Sequence, residues 1–531
     1  MLAVPGCVWT CILNFDPMPW MLQLSPAGSI ARSTIDVTPQ IPNLSTELFC
    51  VVCRSFLATD EIAEKDYVKR QNDRYQEENI VRQPNILFIP VDDLRPQLGC
   101  YGRPQMKTPH LDRLADEGTL FQQAHCQVPV CGASRASLLT GLRPRRTRFL
   151  DYLTRVDEDV PGAITLPQHL RENGYETVSV GKVFHHQDDS ADRSWDKEPW
   201  HPHPSPGERW RNYLTKEAQD LATGDDGRGP AFERAEVSDD AYYDGQIANR
   251  AIAELGRLRG RDEPFFLAAG FIRPHLPFNA PSRYWNQYHE GDIHLADNPC
   301  APQDAPERAL HNFGELRSYG NIPDEGPLDE GTEHSLVHGY YAATSYIDAQ
   351  IGRLLRALED FQLADNTIVV VWGDHGWQLG EHGMWCKHCN FRTSLNAPLI
   401  FRVPDQKGGV STDAIVEFID IYPTLCDLAD LPVPSGLPGE SLAPALDDPD
   451  ARIKEAAFSR WWWGESVRTE NYLFTEWIAE DGTAEERMMY DHEQDPDENV
   501  NIAVRDEHAG RMERFSNMLA EVRRERDRYD E

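Results

Sequence analysis

The sequence lacks any apolar run of the roughly 18–20 residues that a membrane-spanning helix requires, so we expect no transmembrane segment. It is also poor in lysine, which accounts for only nine of the 52 basic residues. Acidic residues number 87, and the formal net charge at pH 7 is −35. Because a surface of that sign repels nucleic acid and anionic membranes, the composition argues against nucleic acid as a partner.

Cysteine is sparse, and a secretory signal is not evident. The eleven cysteines are too scattered over 531 residues for a dense disulfide framework. Two C-x-x-C pairs, Cys50 with Cys53 and Cys386 with Cys389, have the spacing of half a zinc site or of a redox pair, but unpaired structural thiols are the simpler interpretation. The apolar start of the chain has no lysine or arginine before Arg32 and no clear small-residue cleavage site, so the sequence leaves export undecided.

From residue 85 onward, short apolar runs alternate with amphipathic helical patterns. Strands separated by helices indicate an α/β fold, with a mostly parallel sheet covered by helices on both faces. The pattern predicts strands over 85–91, 176–180, 264–271, 367–372 and 399–403, and a long helix over 336–361.

The chain divides into three parts by composition. Residues 1–83 show no sustained apolar period, and we expect a poorly ordered extension and linker there. The main domain is predicted over 84–455. Short aromatic strands followed by a charged helix predict a small α+β subdomain over 456–531.

Ionisable side chains follow four of the predicted strands. In parallel sheets, ligands bind at the carboxyl ends of the strands, so these side chains are expected to converge. Three carboxylates among them suit a hard divalent cation such as Ca²⁺ or Mg²⁺, although a solvated acidic turn is the alternative for an isolated Asp-Asp pair. The residues, in the order of their strands, are Asp92 and Asp93, Lys182 and His185, His275, and Asp374 and His375.

A single cysteine, Cys131, begins the stretch CGASRASLLTG, which has the character of a short apolar helix. The thiol would lie at a helix N-terminus, one turn before Arg135, and both features favour a reactive thiolate. The alternative is that Cys131 is a small buried apolar residue, as most free cysteines are.

The loop over 385–391 is aromatic and contains one of the few lysines, Lys387. A protonated lysine beside an ester oxygen stabilises the charge that develops as the bond breaks. Trp385 lies in this loop and Trp377 precedes it, and the two tryptophans have two interpretations. They are core aromatics, or they form the wall of a sugar-binding pocket.

Several stretches together resemble the sulfatases, and among them the iduronate-2-sulfatase branch. They are NILFIPVDDLRPQLGCYG, CGASR, GKVFH, RPHLPF, GDHGWQLGEHG and the W-x-K-x-x-N-F loop, and the resemblance covers about residues 85–446. It implies an alkaline-phosphatase-like fold in which Cys131 is oxidised to formylglycine, whose hydrated aldehyde is the nucleophile. It also implies a calcium ion held by Asp92, Asp93, Asp374, His375 and the modified Cys131.

The resemblance assigns roles to further residues. Arg135, Lys182 and Lys387 would bind the sulfate oxygens, His185 would assist breakdown of the sulfated intermediate, and His275 would lie near the leaving oxygen. The departure from the family pattern is Ala133, where most members have proline. The partner that installs the aldehyde is thus a formylglycine-generating enzyme or a radical maturase, and a C-x-A-x-R core resembles what the radical enzymes accept.

The expected activity is hydrolysis of a sulfate ester, a 2-O-sulfate on a uronic acid or related sugar in a sulfated glycan. Two alternatives belong to other classes. The same scaffold and the same aldehyde serve phosphate or phosphonate ester hydrolases. A glycan-binding pseudo-enzyme would leave Cys131 as a thiol.

Overall fold

The structure is a computed structural model that describes residues 83–202, 211–223, 228–479 and 483–528. The expectations for residues 1–82, including the Cys50 and Cys53 pair, fall outside the described residues. Within the described ranges, no helix combines the length and the apolar composition needed to cross a membrane.

The strands are short, and most belong to one of two sheets. They are β1 (Asn85–Val91), β2 (Thr119–His125), β3 (Glu176–Gly181), β4 (Phe232–Ala235), β5 (Phe265–Gly270), β6 (Phe278–Pro281), β7 (Thr367–Gly373), β8 (Gln378–Leu379), β9 (Trp385–Cys386), β10 (Leu399–Arg402), β11 (Val410–Glu417), β12 (Ala457–Trp461), β13 (Gly464–Arg468), β14 (Tyr472–Ile478) and β15 (Ala484–Asp491).

The helices range from one turn to 31 residues. They are α1 (Pro109–Glu117), α2 (Cys131–Thr140), α3 (Val156–Asp159), α4 (Leu166–Glu172), α5 (Ala191–Ser194), α6 (Lys216–Leu221), α7 (Tyr243–Leu258), α8 (Ser282–Trp285), α9 (Gly314–Arg317), α10 (Glu330–Asp360), α11 (Arg392–Leu395), α12 (Ile421–Leu428), α13 (Ala443–Asp447) and α14 (Ala509–Arg528).

The central sheet has seven strands in the order β11-β2-β10-β7-β1-β5-β3. Only β10 runs antiparallel to its neighbours, so the sheet is mostly parallel, as the sequence pattern predicts. Every residue of β1 is buried, because helices cover both faces. Ile86 and Phe88 contribute to one core cluster with α2, α4 and α12, and Leu87 and Ile89 to the opposite one with α1, α7 and α10. The expected fold class is confirmed.

A second, antiparallel sheet follows in the order β12-β13-β14-β15. The terminal helix α14 packs against it through Phe515 and Leu519, which join Val467, Phe474 and Met489 in a separate apolar cluster. This is the small C-terminal α+β subdomain, and its boundary at residue 455 stays a prediction. The sequence pattern missed β2 and β11 because polar residues interrupt their apolar character.

A buried charge network joins this C-terminal part to the central sheet. Glu417, at the end of β11, accepts two hydrogen bonds from the Arg143 guanidinium, at 2.5 and 2.6 Å, and one from Lys454 Nζ at 2.9 Å. The backbone N–H of Phe458 donates to the same carboxylate. Burial by itself would raise the pKa of Glu417, but Arg143 and Lys454 hold that pKa far below its usual 4.5.

Replacing this carboxylate should weaken the fold. Because Glu417→Gln leaves the buried Arg143 without its counter-charge, while Lys454 keeps its pair with Asp420, we expect a loss of about 3–5 kcal/mol in the free energy of unfolding, measured by urea denaturation. The folded-state pKa is depressed, so this stabilisation is present above pH 4.5 and is lost as pH falls further. The free energy of unfolding should therefore depend less on pH below 4.5 in the variant than in the wild type. Asp220→Asn, which removes an exposed pair with Lys216, is the control and should cost less than about 1 kcal/mol.

Candidate active site

Four neighbouring strands bring the predicted residues together. In the order β7-β1-β5-β3, the strand ends are followed by Asp374, by Asp92 and Asp93, by His275 and by Lys182. The backbone N–H of Asp93 donates to Asp374 Oδ1 at 3.0 Å, which links two of these ends directly. All three carboxylates are fully buried. The convergence follows from the parallel register, because adjacent parallel strands end at the same edge of the sheet.

Helix α2 begins at Cys131 and points its first turn at this edge. Gly132 has no side chain, and a Cβ there would meet the backbone oxygens of Asp151 and Tyr152 at 2.7 Å, so the next loop packs closely over the start of the helix. The Cys131 Sγ lies 4.0 Å from Asp93 Oδ1. The first helical turn is thus confined between the strand ends and this loop.

Arg135 is fully buried, and its hydrogen bonds all go to the protein. Its Nε donates to Asp374 Oδ2 at 2.8 Å, a second nitrogen lies 3.4 Å from Asp92 Oδ1, and the third donates to the backbone oxygens of Lys182 and Val183. In this geometry the guanidinium holds two carboxylates in place. The role at a sulfate that the resemblance implies for Arg135 stays a prediction.

Two lysines approach the aspartates from opposite sides. Lys182 Nζ forms an ion pair with Asp92. Lys387 Nζ lies 3.1 Å from both oxygens of Asp93 and 2.9 Å from Glu315, with the ring of Trp377 4.8 Å away. Each ammonium is therefore held at a fixed place by a buried counter-charge.

The pKa values of the two adjacent aspartates are shifted in opposite directions. Burial raises the pKa of both carboxyls, but Lys182, His275 and Arg135 hold the pKa of Asp92 well below its ordinary value. At Asp93 the pKa stays well above the ordinary value, because Lys387 does not offset burial and the nearby carboxylate of Asp92. The protein by itself therefore favours the ionised form of Asp92 and disfavours the ionised form of Asp93.

The Cys131 thiol is not the thiolate that its helix position predicts. Burial, followed by the charge of Asp92, raises its pKa well above the ordinary value, and the opposing effect of Lys182 and Lys387 is smaller. The prediction of a helix N-terminus at Cys131 is confirmed, and the prediction of a lowered pKa is wrong. The sequence shows the helix end but not the carboxylates that fold against it.

The donor atoms fit a divalent metal ion. Oxygen, sulfur and nitrogen atoms of Asp92, Cys131, Asp374 and His375 lie within 4.8 Å of one another and are all buried. His375 Nδ1 lies 2.9 Å from the backbone oxygen of Gly376, which fixes the tautomer and leaves Nε2 free to act as a ligand. That Nε2 is buried, has no hydrogen-bond partner in the described part of the chain, and lies 3.3 Å from Asp93 Oδ1. A buried imidazole nitrogen that faces carboxylate oxygens can bind a cation together with them.

Two further histidines lie beside the lysines. His275 Nδ1 is 2.6 Å from the backbone oxygen of Leu276, and its Nε2 is 3.3 Å from Glu315. Burial and the charge of Lys387 hold the pKa of His275 well below its usual value. His185 Nδ1 is buried and has no hydrogen-bond partner among the described residues, and burial with the charge of Lys182 lowers its pKa strongly.

Comparison with known proteins shows which family the chain belongs to. The sequence model described as Sulfatase matches residues 84–431. The chain belongs to the sulfatase family. A second model, described as N-sulphoglucosamine sulphohydrolase, C-terminal, matches residues 380–525 of this sulfatase. Sulfatases generally use a formylglycine and a divalent metal, which is the chemistry that the donor set fits.

Curated relatives cover most of the chain. This sulfatase is 34% identical over 474 residues to iduronate 2-sulfatase of Mus musculus, with 75% of this chain and 85% of the relative covered. It is 37% identical over 397 residues to iduronate 2-sulfatase of Homo sapiens, with 67% and 70% covered. These relationships identify the chain as a sulfuric ester hydrolase.

A solved structure shows the likeness of fold. The phosphonate monoester hydrolase of Agrobacterium radiobacter superposes with a TM-score of 0.68 at 23% identity, covering 83% of this chain and 96% of the other. At that identity the similarity concerns the fold alone. It agrees with the alkaline-phosphatase-like architecture that the sequence resemblance implies.

Sequence reasoning about this sulfatase missed one residue and left two interpretations open for a pair of aromatics. Glu315 lies in α9, within a segment without apolar period, so no pattern connects it to Lys387 and His275. Trp377 and Trp385 are only 1% and 3% exposed and belong to a core cluster, so their burial does not support a sugar-binding wall. Cys386 and Cys389 are buried free thiols, as the simpler interpretation predicts.

Proposed function

We propose that this sulfatase hydrolyses a 2-O-sulfate ester on a uronic acid or related sugar in a sulfated glycan. The observation that carries the proposal is the meeting of Cys131, three aspartates, His375 and two lysines at one sheet edge. The relatives named iduronate 2-sulfatase support the choice of a uronic acid and of the 2-position. The proposed role of each site residue follows.

Cys131 is the residue proposed to be oxidised to formylglycine, which would supply the attacking hydroxyl and the second hydroxyl that later expels sulfate. Ala133 favours a radical maturase as the partner that installs it. Asp92, Asp93, Asp374 and His375, with the modified Cys131, would hold Ca²⁺ or Mg²⁺, which polarises a sulfate oxygen when bound.

The charges of the site favour an anionic ester. Four carboxylates face three fixed cations, and the cations pair with them at contact distance. A bound divalent ion would turn that balance to one net positive charge, which matches the single negative charge of a sulfate monoester. A dianionic phosphate monoester matches it less well, so the charge balance favours sulfate over a phosphate monoester. A phosphonate monoester carries one negative charge like sulfate, and the substrate panel below separates those two.

The lysines are proposed to hold the sulfate oxygens. Lys182 and Lys387 end beside Cys131 and are already fixed by Asp92, Asp93 and Glu315, so little orientation is lost when the ester binds. Arg135 is a positioning residue that keeps Asp92 and Asp374 in place. The two ammonium groups stabilise the charge that develops on the leaving oxygen and on sulfate.

The histidines are proposed to move protons. Burial and the charge of Lys182 lower the pKa of His185, which favours a neutral ring able to accept the proton released when the sulfated intermediate breaks down. His275 Nε2, beside Glu315, takes up or releases a proton at the leaving oxygen. The two rings flank the site from different strands, which separates the two proton transfers.

The proposal is tested with a substrate panel. We expect the matured enzyme to hydrolyse a 2-O-sulfated uronate disaccharide with a kcat/KM at least about a hundredfold higher than for its 6-O-sulfated isomer or for an aryl phosphonate. Ion chromatography of released sulfate or phosphonate measures both activities. Preferential turnover of the phosphonate would assign the scaffold to the other hydrolase class, and equal turnover of the isomers would contradict the 2-position.

A further inference from the structure

Three consecutive tryptophans form the tip of the β12–β13 hairpin. Trp461 pairs with Gly464 across the hairpin, so Trp462 and Trp463 are the two turn residues. Trp462 is 63% exposed and Trp463 is 40% exposed. Two large indole rings that lie side by side with much of their surface in water point to a ligand.

The backbone at Trp462 makes the choice of residue more unusual. Its φ is 54°, in the left-handed region, at the first position of a two-residue turn. Glycine, asparagine or aspartate occupies such positions at little steric cost, whereas a bulky aromatic residue is strained there. Strain of this kind persists where the side chain has a function.

The hairpin is fixed to both segments that carry the active site. The backbone N–H of Arg460 donates to the oxygen of Gln127 at 2.7 Å, four residues before Cys131. On the other side, Asn390 Nδ2, in the loop of the candidate lysine, donates to Ser466 Oγ at 2.9 Å. The turn is therefore held beside the site and does not depend on a flexible connection.

A row of rings leads outward from the site. His388, the residue after Lys387, has its ring centroid 5.0 Å from that of Trp461, which in turn is 6.1 Å from that of Trp462. In this aromatic row (His388, Trp461, Trp462), the two inner rings are half-buried and the outer one is exposed. The row thus connects the sulfate end of the site with solvent.

A cation lies at the outer end. The Arg146 guanidinium is 5.0 Å from the ring centroid of Trp463 and is held by hydrogen bonds to the backbone oxygens of Ile478 and Ala479, at 2.6 and 3.0 Å. The protein as a whole carries a formal charge of −35. A fixed local cation is therefore needed wherever an anionic chain is to be held.

We propose that the aromatic row, with Trp463 and Arg146, is a second sugar-binding subsite for the unit next to the sulfated sugar in an anionic oligosaccharide. The inference rests on the proposed function. The apolar C–H face of a pyranose packs on an indole ring, and the guanidinium pairs with a carboxylate or sulfate of the same unit. The subsite makes the enzyme selective for oligosaccharides over small sulfate esters.

The test compares Trp462→Gly with the wild type on a 2-O-sulfated uronate tetrasaccharide and on an aryl sulfate. Glycine suits the left-handed turn, so the thermal midpoint should stay equal or rise. We expect KM for the tetrasaccharide to increase about tenfold, with kcat/KM for the aryl sulfate unchanged. Adding Arg146→Gln should raise KM for the tetrasaccharide further, and this second increase should be smaller at high salt. Val504→Ala, another exposed apolar residue of the C-terminal part, is the matched control and should change neither activity.

Binding is measured independently by titrating tryptophan fluorescence with the tetrasaccharide. Weaker binding by Trp462→Gly supports the subsite even if the wild type hydrolyses only the aryl sulfate, which would contradict the proposed substrate and not the subsite. Equal affinity and equal KM for Trp462→Gly and the wild type would overturn the proposal. An equal loss on both esters would overturn it as well, because the row would then act on the reaction itself.

Discussion

A Cys131→Ser variant is expected to lose at least about a thousandfold in kcat on every sulfate ester, with little change in fold. Serine could be sulfated by the same attack, but it lacks the second hydroxyl of a formylglycine hydrate, so sulfate would not be expelled. The residue is buried at the first turn of α2, and exchange of sulfur for oxygen there changes little volume. Steady-state rates and a burst experiment measure the loss.

Cys126 supplies the control. It is a buried free thiol on the same segment, and burial and the charge of Asp374 raise its pKa as well. Its Sγ lies 3.8 Å from the backbone oxygen of Ser394, and it is not among the candidate metal ligands. Cys126→Ser should keep most of the activity. Mass spectrometry of the peptide over 128–143 should show the thiol of Cys131 replaced by an aldehyde in the active enzyme. Full activity of Cys131→Ser, or of a protein with an intact thiol, would contradict the mechanism.

Removal of the divalent ion is expected to abolish activity and to lower the thermal midpoint. Buried carboxylates that lose their counter-ion repel one another, and an ion at a thousandfold excess over its Kd stabilises the folded state by about 4 kcal/mol. Dialysis against a chelator followed by differential scanning calorimetry measures the shift. Added Ca²⁺ should restore both the midpoint and the rate of sulfate release.

His375→Gln tests the ligand set without relying on activity. The apparent Ca²⁺ affinity from the thermal shift should fall at least about tenfold. His125→Gln is the matched control, because His125 is also buried with an Nε2 that has no hydrogen-bond partner but lies away from the aspartates. An unchanged Ca²⁺ response in His375→Gln would exclude this histidine as a ligand. An equal weakening in both variants would reveal a general loss of stability.

The positions of strand ends predicted which residues meet at the active site, but the sequence did not predict what each of those residues contacts. Asp92, Asp374 and Lys182 follow apolar runs, and a parallel sheet necessarily brings such ends to one edge. Arg135 could be placed one helical turn after Cys131 from spacing alone. Its hydrogen bonds to Asp374 and Asp92 depend on which carboxylates fold against it, and spacing does not give them. Its role at the sulfate stays a prediction.

The sequence by itself determined the α/β class, the helix that begins at Cys131 and the set of strand-end residues, because these depend on local periodicity and on one rule of sheet geometry. Only the tertiary structure decided that Trp377 is core and Trp462 is exposed, that Glu315 joins Lys387, and that the Cys131 thiol stays neutral. Burial and charge pairing depend on neighbours that are distant in the chain, and no local pattern records them.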